Sequence, residues 1–259
     1  MYERSNYDNK WSKPDAIPWK VSQLLCWSGC LRISRGGGNL AAPKPAFTLA
    51  EVLVTLGIIG VVSAMTVPTL MQNHQRKTYV TQLHKVYNEL SQGLIRYQTD
   101  RNALNLTEAG LSVDTFSEFL KNYFKVVQDC ENEQTPCFAD SYKKIAGVET
   151  LFRCDGACMV LANGAAIGVY KASAGYTNMI AEIVIDINGQ QGPNIFGRDA
   201  FSLFLYKDGT IDDYSTSGVV PMTEELREQR YQTACIDSAG NKWDGCFGKI
   251  LNDNWEMTY

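Results

Sequence analysis

From Phe47 to Met71 the chain runs for twenty-five residues with a single ionisable side chain, Glu51. A helix of that length, at about 1.5 Å per residue, is long enough to cross a hydrocarbon core of about 30 Å. The mean hydropathy of the chain, −0.20, hides this unevenness. The 45% apolar content of the 259 residues also leaves enough for a core elsewhere, in one domain or two small ones. The segment therefore predicts a membrane-spanning helix followed by a separate polar head.

Charge divides at the same place. Residues 1–46 carry seven Lys/Arg against three Asp/Glu, a net of +4, so the overall −4 leaves −8 on the remainder. Arg32, Arg35 and Lys44 lie just upstream of the span. Basic flanks stay on the cytoplasmic side of a membrane, which predicts the acidic C-terminal part outside. Cys130, Cys137, Cys154, Cys158, Cys235 and Cys246 follow the span and would lie where disulfides persist, whereas Cys26 and Cys30 precede it and would remain reduced.

Residues 1–45 show no sustained period. Arg35-Gly-Gly-Gly-Asn and Pro43-Lys-Pro45 read as a linker, and the glycines lack the Gly-Lys-Ser/Thr ending of a phosphate-binding loop. Beyond the span, Tyr79, Leu83, Val86, Tyr87, Leu90, Leu94 and Tyr97 recur at three- and four-residue steps, the pattern of an amphipathic helix. One helix is expected from about residue 47 to 99, kinked near Pro68: residues 47–71 in lipid and 72–99 against the head. The head, 100–259, is expected to carry a short helix over 114–125. An Asn163-Gly164 type I′ hairpin should follow, then strands at 180–187 and 201–206, an Asp208-Gly209 hairpin and a helix over 224–231. The fold class is α+β: a long N-terminal helix packed on a small antiparallel sheet of about four strands.

The run Lys44-Pro-Ala-Phe-Thr-Leu-Ala-Glu51-Val-Leu-Val-Thr-Leu-Gly-Ile-Ile-Gly60-Val-Val-Ser-Ala-Met-Thr-Val-Pro68 resembles the prepilin-type cleavage and methylation segment of type IV pilins, competence pilins and type II secretion pseudopilins. The match comprises a small residue before the cut, Phe47-Thr-Leu, Glu51 as fifth residue from Phe47, and a proline twenty-two residues along. The resemblance implies cleavage after Ala46 by a prepilin peptidase, N-methylation of Phe47, and assembly with other pilin-like subunits by an inner-membrane platform and its ATPase. The implied location is the bacterial cytoplasmic membrane, single-pass, with the head outside. Two features depart from the family pattern: Ala46 stands where glycine is the norm, and 46 residues make a long leader.

A carboxylate in a span costs about 2.5–3.5 kcal/mol on insertion scales, so Glu51 needs a partner. The family supplies it as the new amine of Phe47 on a neighbouring subunit; the plain alternative is a tolerated Glu near the end of a signal anchor. Pro68 reads as a simple kink or, in the family, as the place where pilin helices soften. Gly57 and Gly60 let helices approach closely in either case.

In the head, the stretch from Asp186 to Phe201 followed by Lys207-Asp-Gly-Thr210 resembles the loop and closing hairpin of pseudopilin heads. Asp186, Asn188, Asn194 and Asp199 could hold calcium there, as major pseudopilins do in a comparable loop. The alternative is a glycine-rich turn in which Asp and Asn cap the local backbone. The glycine spacing and Gly197 in place of a bidentate Glu exclude an EF-hand. The six later cysteines allow fifteen pairings, of which sequence neighbours, 130 with 137, 154 with 158 and 235 with 246, are expected; zinc knuckles are absent. His74 and His84 are ten residues apart and cannot share a metal by i, i+4 spacing. No nucleophile, base and orienter emerge together, so no enzyme is expected, no cofactor other than calcium, and no nucleic acid for so acidic a head. The expectation is a structural subunit of a type II secretion pseudopilus or type IV pilus-like filament. A competence or adhesive pilin and an uncleaved, membrane-anchored binding module are the alternatives.

Overall fold

The computed structural model describes residues 47–170, 178–238 and 242–259. The expected leader 1–46, with Ala46, Cys26 and Cys30, lies outside them. The chain divides into two compact units, Met1–Val52 and Leu53–Tyr259. Of the first, Phe47–Val52 is described, and it opens the first helix.

Helix α1 (Leu49–Asp100) is 52 residues long and passes through Pro68 without interruption. Proline lacks the N–H that would bond the carbonyl of Ala64, the one backbone bond the helix forgoes there. Its first half is the one segment among the described residues with the length and composition of a membrane span, with an apolar window of mean hydropathy 2.0 and none of it buried. Ile58 and Ile59 are each 60% exposed, and Leu70 66%. The second half turns apolar side chains inward at Val80, Leu83, Val86, Leu90, Leu94 and Tyr97. Between these contacts lie Gln82, Lys85 and Arg96, so one amphipathic stripe defines which face meets the head.

That stripe packs against α2 (Phe116–Tyr123) and a sheet. In α2 the face Phe116, Phe119 and Leu120 is fully buried, and Tyr97 meets Phe119 edge to face at 5.3 Å. The strands are β1 (Val126–Asp129), β2 (Tyr142–Lys144), β3 (Glu149–Thr150), β4 (Cys158–Leu161), β5 (Ala166–Tyr170), β6 (Met179–Asp186), β7 (Ile195–Phe196), β8 (Ala200–Tyr206) and β9 (Ile211–Asp212). They form one sheet in the order β1-β4-β5-β6-β8-β7-β2-β3, with β9 also on β8.

The sheet is mixed, which corrects the expected antiparallel sheet of about four strands. The pairs β1–β4, β4–β5, β5–β6, β6–β8, β8–β9 and β2–β3 are antiparallel, but β7 is parallel to β8 and β2 parallel to β7. The cause is local. Only residues 197–199 separate β7 from β8, with Gly197 at φ 90° and its N–H bonded to the Ala200 carbonyl, so β7 lies beside the start of β8 rather than folding back along it. Lys143 and Lys144 then align with Ile195 and Phe196. Strands of two or three residues carry no alternation for the sequence to display.

Both hairpins use Gly at positive φ but not the type I′ turn expected at 163–164. Gly164 takes φ 89° while Asn163 does not enter that region, and Leu161 bonds both ends of the loop. This is a three-residue connection closed by a left-handed glycine, repeated at Tyr206–Thr210 with Gly209 at φ 88°. The expected helix over 114–125 is shorter, at Phe116–Tyr123.

The sheet is covered on both faces. One face, with Met159, Ile167, Ile183, Leu203 and Leu205, meets α1 and α2. The other, with Val184, Ala166 and Ala200, meets Phe138, Tyr142, Phe152 and Phe196 together with two disulfides, Cys130–Cys137 and Cys154–Cys158. Burial on both sides explains the continuous apolar runs of β6 and β8. After β9, α3 (Glu224–Arg230) is capped by Thr223 and continues as a π-turn, Tyr231–Cys235. A further helix that the pattern did not announce, α4 (Cys246–Asn252), is tied to it by Cys235–Cys246.

Leu90 is fully buried under the sheet whereas Ile95 is 65% exposed on the same helix. Leu90→Ala should cost about 2–5 kcal/mol in denaturant unfolding of the detergent-solubilised chain, and Ile95→Ala under about 0.5 kcal/mol.

Candidate functional site

Two places gather the residues singled out from the sequence. The first is the start of α1. Phe47 is 87% exposed, and Thr48 stands immediately before the helix. The Thr48 N–H and hydroxyl both donate to Glu51 Oε2 at 2.9 Å, and the Glu51 N–H donates to Thr48 Oγ1 at 3.3 Å. This reciprocal arrangement is a capping box, and Thr-x-x-Glu ahead of an apolar run is its sequence signature. The carboxylate thus has a partner within its own chain, which the reading of Glu51 as a group awaiting a distant amine had missed. Its Oε1 takes no hydrogen bond among the described residues, which leaves one oxygen for a second donor. Pro68 lies further along the same helix and touches neither group's hydrogen bonds.

The second place is the loop between β6 and β8. Here the four oxygen-bearing residues do come together. Asp186 ends β6 and is fully buried; its Oδ1 accepts from the Asn188 N–H at 3.1 Å and its Oδ2 from the Tyr142 hydroxyl at 2.6 Å. Asp199, also fully buried, accepts from the N–H groups of Asn194 and Ile195, both at 2.7 Å. These are the local backbone caps of the plain reading of the loop. The side-chain oxygens of Asn188 and Asn194 are left over: both Oδ1 atoms are buried without a hydrogen-bond partner. A buried amide oxygen without a donor costs about 1–3 kcal/mol.

The electrostatics point the same way. Burial pushes the Asp186 carboxyl up to about 7; the Tyr142 hydroxyl pulls it back and the nearby Asp199 charge adds to the rise. Burial also raises Asp199, against the two backbone N–H groups that hold it down. Two carboxylates short of positive charge and two amide oxygens short of a donor suit a hard divalent cation, which takes oxygen ligands of these kinds. Asp186, Asn188, Asn194 and Asp199 would hold it, with backbone carbonyls or water completing its shell. Among the described residues no group of three or more His, Cys, Asp or Glu could hold a metal, so a cation here would depend on the amides. Tyr142, which orients Asp186 from forty-four positions away, carried no signal in the sequence.

The histidines do not converge. His74 is exposed, and His84 stacks on Trp255 with ring centroids 3.9 Å apart. The six cysteines close as 130–137, 154–158 and 235–246.

The raised Asp186 sets a sign for pH. Its folded value, about 7, lies above the ordinary 3.8, so without metal it contributes stability that is full below 3.8 and lost as pH rises through about 7. Calcium needs the ionised carboxylate, so its stabilisation should be small at pH 5 and large at pH 8. At about 100 times its dissociation constant the gain is about 2.7 kcal/mol, read as a raised melting temperature that Asn188→Ala diminishes.

A scan of protein-family models, a search of curated proteins and a search of solved structures give no match to this chain, so its chemistry is read from its own geometry.

Proposed function

We propose that the chain is a pilin-like structural subunit of a type II secretion pseudopilus or type IV pilus-like filament, cut after Ala46 by a prepilin peptidase. The observation that carries this reading is α1. One helix joins a bare apolar half, which needs a non-aqueous cover, to a half whose apolar stripe is used up on the head. Such a helix can be held in a membrane and later packed against copies of itself. Its first turn bears the sequence run that resembles the prepilin segment, and the unused Oε1 of Glu51 can accept from the Phe47 amine of a neighbour without breaking the cap. Three disulfides in the head suit a compartment outside the cytoplasm. The role is mechanical: the chain supplies structure, and hydrolysis belongs to the assembly ATPase. Calcium, held by the β6–β8 loop, would stiffen the head.

The second reading is an uncut anchor that displays the head as a binding module. The capping box favours it, because Glu51 then has a purely local role. Intact-mass and N-terminal peptide analysis of the protein from its membrane fraction, with and without the peptidase, separates the two. A chain beginning at Phe47, N-methylated, is the expected result; a chain retaining residues before Ala46 in both strains overturns the filament reading.

A further inference from the structure

The end of the apolar half of α1 meets the C-terminal segment of the head, and two adjoining cavities open there. The lower, of about 650 Å³, is an open hollow on the face of α1 itself, bordered by Leu70 and Met71 below and by Asn73, His74, Gln75 and Lys77 above. The upper, of about 370 Å³, shares Asn73 and Lys77 and adds Arg76, Thr81 and Trp255. Trp255 is fixed in this position: it stacks on His84 at 3.9 Å and packs at 5.0 Å from Tyr87, so the wall is built by the fold. Arg76 is half-buried, and neither it nor Lys77 makes an ion pair among the described residues.

We infer that this paired cavity binds the headgroup of an anionic phospholipid in the leaflet on the head's side, with Arg76 and Lys77 on its phosphate and Leu70 and Met71 against its glycerol and upper acyl carbons. The inference rests on the membrane reading of α1 given above. Arg76 and Lys77 lie five and six residues past Met71, about 8–9 Å along the helix axis, which is the outer edge of a headgroup layer about 5–8 Å deep and within reach of their long side chains. The cavity is apolar where the hydrocarbon ends and cationic just beyond, and a tryptophan wall at that level has the amphipathic ring of an interfacial residue. Glu256 is the one carboxylate on the upper wall and opposes an anion there. A headgroup held in this way would fix the height at which the head sits while the subunit waits in the membrane.

The test uses the full chain reconstituted into vesicles of phosphatidylcholine alone or mixed with phosphatidylglycerol, then extracted gently for native mass spectrometry of bound lipid. The wild type should retain phosphatidylglycerol in excess of its share of the mixture. Arg76→Ala and Lys77→Ala should each lower that enrichment about fivefold, additively, while Lys207→Ala on the β8–β9 turn leaves it unchanged. Glu256→Gln should raise it. Inorganic phosphate added at extraction should not displace the lipid; displacement would mean a free-phosphate site and overturn the assignment. Integration without phosphatidylglycerol enrichment, or enrichment that survives both alanine variants, overturns it alone. Failure of the chain to integrate into vesicles overturns the membrane reading together with it.

Discussion

Eleven large apolar side chains between Leu53 and Met71 stand exposed on α1, and water is a poor surrounding for all of them. At about 1.5–3 kcal/mol for full burial of each, half-exposed side chains in that number leave roughly 10–20 kcal/mol unrealised, as much as the whole stability of a typical domain at about 5–15 kcal/mol. No packing in the head compensates for this, because the head's core begins at Val80. The cover has to come from outside the head, and the length and composition of the segment suit a membrane. On the proposed function, a subunit that exchanges lipid for other helices of the same kind would keep the apolar half dry throughout.

The head is organised around the other half of the same helix. Its stripe from Val80 to Tyr97 forms one side of the core, and the C-terminal segment returns to grip it through Trp255 on His84 and Tyr87. That return is guided by carboxylates. Asp212 takes a two-pronged contact from Arg227 at 2.9 and 2.7 Å, and buried Asp213 accepts the N–H groups of Tyr214, Gly245 and Gly248, which caps the start of α4. Arg230 pairs with Asp244 across the same region. Every one of these buried charges has hydrogen-bonded company, which is the condition for burying them at all. The β6–β8 loop differs in leaving the amide oxygens of Asn188 and Asn194 unanswered, which is what the proposed cation would answer.

Much of this was legible in the residues. The apolar run, the three- and four-residue spacing from Tyr79 to Tyr97, and the hairpins at Gly164 and Gly209 depend on local pattern, and local pattern is what a sequence displays. Parallel pairing of β2 with β7 and β8 depends on which short segments meet in space, and strands as brief as Ile195–Phe196 have no period. Helix α4 was hidden because Cys246-Phe-Gly-Lys-Ile250 contains a glycine and only two large buried side chains, Phe247 and Ile250, with its start held by a carboxylate thirty-five positions earlier. The capping box was readable from Thr48 and Glu51 but was overshadowed by the longer motif that contains it. At the candidate cation site the four oxygen-bearing residues were visible in the loop, whereas Tyr142 and the second aromatic core behind it were not.

Hydrogen–deuterium exchange on the full chain in lipid vesicles tests the central claim most directly. The two halves of α1 have the same backbone hydrogen bonds, so their exchange differs only through what surrounds them. Peptides from Leu53–Met71 should be protected by lipid and peptides from Leu83–Leu94 by the head, with faster exchange between them from Gln72 to Thr78, an exposed stretch in which Arg76 alone is half-buried. Fast exchange across Leu53–Met71 in the presence of vesicles, at the rate of that exposed stretch, would contradict it.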